Sequence, residues 1–198
     1  MKNLITGLLL IIIVHFFSCQ SSNNKNNNNT ENSSEKKINN VSTKNDSNDS
    51  CAFYLSSSKK LDSILLSSTN FDKQLAIQAN NTFVKCALLC NNDSISPLYL
   101  MKAAQLSQSL NQIHLSEKYL LIIIKDYPKS KFIPSAKFLL AEFYADINLL
   151  NQPEKAKQLL NEIIKEYPRT VWAENAAAAL QWVGKSDEEI LQKLKQKK

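Results

Sequence analysis

The sequence predicts an all-α fold in which helix pairs follow one another in series. The octapeptide Ile123–Ser130 (IIKDYPKS) recurs 40 residues later as Ile163–Thr170 (IIKEYPRT). Apolar residues around the second copy are spaced 3, 1, 3, 1 and 3 apart, which is the period of one helix face. They are Ala156, Leu159, Leu160, Ile163, Ile164 and Tyr167. A proline follows the tyrosine of each copy and ends the helix there.

The first residues of the chain have the pattern of a signal peptide. An apolar run from Leu4 to Phe17 follows Lys2. Its 14 residues fall short of the roughly 18 to 20 that span a bilayer as a helix, so residues 1–18 are predicted to be a signal peptide. An uncleaved anchor or a buried N-terminal helix is the alternative.

The end of this run resembles the signal of bacterial lipoproteins, in which a small residue precedes a cysteine that receives diacylglycerol. Ser18 occupies the small position before Cys19. The resemblance implies a mature protein that begins at an acylated Cys19, palmitate being a typical chain. It also implies anchoring to the bacterial envelope, at the outer membrane facing the periplasm. Plain secretion is the alternative, although Phe16 blocks the obvious small-x-small cleavage site.

Residues 19–50 are predicted to form a disordered tether behind the lipid. Residues 20–50 include 11 Asn and 7 Ser, with Ile38 and Val41 as the only strongly apolar side chains. Such a stretch buries too little surface to offset the entropy of ordering it. Glycosylation patterns such as those at Asn32 and Asn40 leave a eukaryotic secreted protein as an alternative. The helical domain is predicted to cover residues 51–198.

The cysteines and the charge indicate no metal site and no nucleic-acid site. Lipidation of Cys19 leaves Cys51, Cys86 and Cys90, an odd number that argues against a disulfide framework. Cys86 and Cys90 lie four apart, a spacing that suits two metal ligands, but no further ligand lies near them, so buried free thiols are expected. The net charge of +6 is spread among helices and a Lys-rich end, without an aromatic-lined basic stripe.

Helices are predicted along the rest of the chain. Pro97 and Pro134 begin matching segments, offset by 37 residues. The apolar run Tyr119–Ile124 alone also suits a buried strand, but its alignment with the second copy favours a helix. Gly184 suits the position after a helix end, and Ser186–Glu189 is a capping box. The predicted segments are Leu61–Leu66, Phe71–Cys90, Pro97–Ser109, the helix around Ile123, Pro134–Asn148, Pro153–Tyr167, Val171–Val183 and a last helix after Ser186.

The second helix of each pair resembles that of the tetratricopeptide-repeat family, in which a small residue, two apolar residues and a proline keep fixed spacings. The matching residues are Ser116, Leu120, Ile123 and Pro128, then Ala156, Leu160, Ile163 and Pro168. The resemblance covers roughly residues 70–184. Within the family it is similar to envelope lipoproteins, namely those that assist outer-membrane β-barrel assembly and the Tol-Pal coordinator protein. It implies a tetratricopeptide-like helix-hairpin solenoid that binds proteins.

Catalysis is not expected. The chain has two glycines, Gly7 and Gly184, which excludes the glycine-rich loops that hold phosphates. His114 is the only histidine after removal of the signal peptide, and it lies in a predicted turn without a partner motif. We therefore predict no enzyme activity, no cofactor and no small-molecule substrate.

Two groups of residues are candidate partner contacts. Gln105, Ser109, Glu142 and Asp146 are polar positions on otherwise apolar first helices, and the alternative is that they only face water. Leu121 and Ile122 are apolar where the second copy has Asn161 and Glu162, so either the core or a partner covers them. The predicted function is a non-catalytic adaptor for envelope proteins. A dedicated subunit of the outer-membrane β-barrel assembly machinery is the alternative.

Overall fold

The structure is a computed structural model that describes residues 43–196. These residues form eight α-helices and no strand, which confirms the all-α prediction. The predicted signal peptide, Cys19 and residues 20–42 of the predicted tether lie outside the described residues. The helices are α1 Thr43–Ser67, α2 Lys73–Cys90, α3 Ser96–Ser109, α4 Ile113–Asp126, α5 Ile133–Ala145, α6 Pro153–Glu166, α7 Val171–Leu180 and α8 Asp187–Gln196.

Helix α1 is much longer than the predicted segment Leu61–Leu66 and begins within the stretch assigned to the tether. Its side chains Tyr54, Leu55, Leu61 and Leu65 pack on the main core. Once these contacts form a helical turn, each further residue adds a hydrogen bond at little cost. Because of this propagation, the helix continues upstream into polar sequence that would not fold alone.

A disulfide joins Cys51 near the start of α1 to Cys90 at the end of α2, with a Cα–Cα distance of 4.8 Å. The prediction that Cys90 is a buried free thiol is therefore wrong. Cys86 is free and buried, as predicted. An odd cysteine count accommodates one bridge and one buried thiol, and burial raises the pKa of that thiol.

Equivalent positions of the two repeated helices, α4 and α6, are equally buried. No member of the set is more than 1% exposed: Ser116 and Ala156, Leu120 and Leu160, Ile123 and Ile163. The Ser116 hydroxyl donates to the Ala104 carbonyl of α3 at 2.8 Å, so its small side chain lets the helices approach closely. The 40-residue alignment is confirmed, and the strand alternative for Tyr119–Ile124 is wrong.

The Tyr-Pro ends of the repeated octapeptides connect one helix to the next. The Tyr127 and Tyr167 amides make the last bonds, to the carbonyls of Ile123 and Ile163. Thr170 then starts α7, because its hydroxyl oxygen accepts from the Ala173 amide at 3.3 Å. The octapeptide thus holds a helix end and, in its second copy, the cap of the next helix.

Asparagine supplies most of the left-handed turn residues in a chain with only two glycines. The φ angles are +40° at Asn91, +58° at Asn111 and +48° at Asn151. Asparagine tolerates this region better than most residues with a side chain. Gly184, with φ of +77°, ends the turn after α7 as predicted.

The helices pack mainly against their neighbours in the chain, and α5 also contacts α7. The main core extends from α1 to α6, and a smaller cluster of Ala141, Leu160, Ile163 and Ala176 joins α5, α6 and α7. The predicted capping box of α8 is confirmed, since the Ser186 amide donates to Glu189 Oε2 at 2.7 Å. Among residues 43–196, no helix combines the length and apolarity needed to cross a membrane.

Candidate functional site

The polar candidates on the first helices of the pairs, α3 and α5, differ in what they contact. The Ser109 hydroxyl bonds the Gln105 carbonyl at 3.1 Å, and Asp146 Oδ1 accepts from the Asn148 amide at 2.7 Å. These two side chains stabilise their own helix ends. Gln105 and Glu142 are half-buried, and no side-chain hydrogen bond or ion pair joins either of them to another described residue. Gln105 and Glu142 therefore remain the stronger candidates for a partner.

Glu142 has an unusual electrostatic environment. Burial raises the pKa of its carboxyl from 4.5 to about 7. No cation among the described residues lies within ion-pair distance to offset that burial. At neutral pH this carboxyl therefore exchanges between its charged and protonated forms.

Leu121 and Ile122 are placed in different environments. Ile122 is half-buried and packs on the main core, whereas Leu121 is 44% exposed. Of the two residues, only Ile122 is therefore covered by the core, and Leu121 lies at the surface.

Two depressions meet at Leu121, and we call them together the outer groove. One part, about 450 Å³, follows α4, and the other, about 190 Å³, lies between α4, α5 and α6. Leu121 lines both parts. The first part is lined by His114, Glu117, Lys118, Leu121, Ile122, Lys125 and Asp126, and the second by Leu121, Ile124, Leu140, Tyr144, Lys155, Gln158 and Leu159.

Polar contacts fix one wall of the outer groove. The Tyr144 hydroxyl donates to Glu117 Oε1 at 2.8 Å, and Lys155 Nζ lies 5.3 Å from the centroid of the Tyr144 ring. Burial, together with the adjacent Glu117 carboxylate, raises the pKa of Tyr144 to about 12. His114 Nδ1 lies 3.4 Å from Glu117 Oε2, and its side chain is 88% exposed, in keeping with the predicted surface position.

The outer groove was only partly predictable from the sequence. The difference between Leu121 and Asn161 was the one signal for it. Tyr144, Lys155 and Leu159 come from two further helices, and their approach to Leu121 depends on helix packing that no local pattern encodes. Within residues 43–196, no cluster of three or more His, Cys, Asp or Glu side chains could hold a metal ion.

Comparison with known proteins assigns no family to the chain. No family model matches the sequence, and neither the curated proteins nor the solved structures include a significant match.

Proposed function

We propose that this protein is a lipid-anchored, non-catalytic scaffold of the bacterial envelope with a tetratricopeptide-like helical domain. Cys19 carries the anchor, and the domain faces the periplasm from the outer membrane and binds other envelope proteins. The observation that carries the proposal is the equal burial of matching residues in α4 and α6. Helix pairs that bury the same positions against their neighbours are the building units of binding solenoids.

Export is supported by the disulfide between Cys51 and Cys90. Disulfides persist in oxidising compartments, including the bacterial periplasm, and are rare in the cytosol. Mass spectrometry of the mature protein tests the anchor. We expect an N-terminal Cys19 with a diacylglycerol adduct, and an intact Met1 or a cut elsewhere would contradict lipidation.

Binding by the first helices is supported by Gln105 and Glu142, which project polar groups that no described residue satisfies. These positions match at an offset of 37 residues, so successive first helices present them in a row. A photo-crosslinking residue at position 105 should capture envelope proteins in intact cells, and Glu142→Ala should reduce the yield. A control crosslinker at exposed Asn161 should not give the same products.

The crosslinked partners also separate the scaffold from the alternative function. A varied set of envelope proteins supports an adaptor. One stoichiometric β-barrel assembly component would instead identify a dedicated subunit of that machinery.

A further inference from the structure

We propose that the outer groove is a second docking site, whose occupant is an acidic protein segment that inserts an apolar side chain beside Leu121. The site deepens the proposed scaffold function and rests on it. It lies on the second helices α4 and α6, with a contribution from α5, whereas Gln105 and Glu142 belong to the first helices.

The apolar part of the site is Leu121 with its neighbours. Leu121, Ile124, Leu140 and Leu159 belong to three different helices and converge on the same depression. Its volume of about 190 Å³ is below the roughly 300 to 1,000 Å³ of small-molecule sites. A depression of this size suits a single apolar side chain of a protein segment.

The charged part of the site is a rim of three lysines. Lys118 and Lys125 border the α4 side, and Lys155 borders the α6 side. None of the three forms an ion pair with a described carboxylate. Glu117 and Asp126 also border the groove, and the three lysines outnumber these two carboxylates. The rim is therefore net positive.

The lysines outnumber the acids at the groove because two acids of α6 make contacts elsewhere. Glu162 and Glu166 both bind the buried Lys137. The Glu117 carboxylate stays at the groove, where it accepts from the neutral Tyr144 hydroxyl. The lysines of the same helices remain at the surface. Complementary charge steers a partner and fixes its orientation, so an acidic segment is the occupant that this rim selects.

The two repeats differ at this surface. Asn161 of α6 stands where α4 has Leu121. The repeat unit does not need a leucine here for its own stability, since the helix with asparagine packs equally well. Leu121→Asn therefore copies a residue that the fold already accepts and removes the proposed anchor without disturbing the core.

The test uses the full mature chain and fluorescein-labelled peptides of about ten residues, a length that spans the groove at roughly 3.3 Å per extended residue. The probe carries glutamates around one leucine and one phenylalanine. One control peptide has serine at the two apolar positions, and the other has lysine for every glutamate. Binding is read by fluorescence anisotropy and located by amide chemical shifts.

The probe should bind with shifts centred on Leu121 and Leu159, and both control peptides should bind at least about tenfold more weakly. Leu121→Asn should weaken binding of the probe by a similar factor. The matched control Leu88→Asn, which alters a leucine 63% exposed on α2, should leave binding unchanged. Replacing Lys118 and Lys125 by serine should weaken binding and flatten its dependence on salt.

Several results would overturn the proposal. They are equal binding of the serine peptide, equal binding by Leu121→Asn, and shifts located elsewhere. Binding only to phosphatidylglycerol vesicles would make the surface a membrane contact, and dimerisation abolished by Leu121→Asn would make the occupant a second copy. Glu142→Ala should not affect the probe, so failure of the first-helix crosslinks and failure of this site are distinguishable.

Discussion

Lys137 Nζ of α5 lies 2.9 Å from Glu162 Oε2 of α6, with Glu166 Oε2 on the same ammonium at 2.7 Å. The Lys137 side chain is only 8% exposed. Burial alone lowers the pKa of Lys137, but the hydrogen bonds that its ammonium donates to Glu166 and Glu162 outweigh this effect and raise the pKa. For Glu162, burial acts to raise the pKa, and the bond from Lys137 lowers it overall.

The preceding helix pair has apolar residues at the equivalent positions. Leu100 and Ile122 occupy the positions that correspond to Lys137 and Glu162. Ile122 packs on the core that contains Leu100. Equivalent positions thus hold an ion cluster in one helix pair and apolar side chains in the other, so Ile122 and Glu162 differ in step with Leu100 and Lys137.

Removing the negative charges of this ion cluster should cost more stability than removing its positive charge. Combining Glu162→Gln with Glu166→Gln leaves a buried ammonium without a counter-charge and should cost about 2 to 4 kcal/mol. Lys137→Met leaves carboxylates that can turn to water, so it should cost about 1 kcal/mol or less. Urea unfolding followed by circular dichroism gives both values. The exposed pair member Glu154 supplies a control, since Glu154→Gln should change stability by less than about 0.5 kcal/mol. A larger cost for Lys137→Met than for the double change would contradict this account.

The disulfide should be detectable by thiol titration. In a soluble form beginning at Gln20, one thiol, that of Cys86, should react in denaturant without reductant, and three should react after reduction. Cys86→Ala should leave none before reduction. Three reactive thiols in the unreduced, air-exposed protein would exclude the bridge.

The same bridge should stabilise the packing of α1 against α2. It closes a loop of 39 residues. Closing a loop of this length lowers the entropy of the unfolded state and so destabilises that state by about 3 to 4 kcal/mol. Replacing Cys51 and Cys90 together by serine should lower the free energy of unfolding by about that amount. Reduction of the natural protein should give the same loss, and Cys86→Ala provides the control for a cysteine change that keeps the bridge.

Adjacent leucines of α4 should differ sharply in their tolerance of asparagine. Leu120 is fully buried, so Leu120→Asn leaves a cavity and an unpaired amide and should cost about 3 kcal/mol or more. Leu121 is 44% exposed, so Leu121→Asn should cost less than about 1 kcal/mol. Thermal unfolding of the two variants measures the difference. Equal losses would mean that Leu121 belongs to the core.

The sequence allowed prediction of elements that repeat or that depend on near neighbours. The strand-like run Tyr119–Ile124 was assigned to a helix because a clearly amphipathic copy followed it, and the capping box at Ser186 depends on residues three apart. Contacts between distant residues left no comparable pattern. The Cys51–Cys90 bridge, the Lys137–Glu162 pair and the meeting of Leu121 with Lys155 each join different helices. The start of α1 was missed for the same reason, because packing of its later residues on the core extends it into polar sequence.

Glu142 should make the protein less stable as the pH rises through the neutral range. Burial raises its pKa from 4.5 to about 7 in the folded protein. The folded state therefore holds the proton more tightly than the unfolded state does. The resulting stabilisation is complete below pH 4.5 and is lost as the pH rises through 7, with a total of roughly 3 kcal/mol.

Glu142→Gln keeps the size of the side chain and removes its titration. Measured by urea unfolding, the natural protein should lose stability between pH 5 and pH 8. In this variant the loss should be smaller by about 2 kcal/mol. Glu154→Gln, at a carboxylate whose side chain is 83% exposed, should retain the full fall. If the glutamine variant loses as much stability between the two pH values as the natural protein, the carboxyl of Glu142 is ionised in the folded state and has access to water or to a cation.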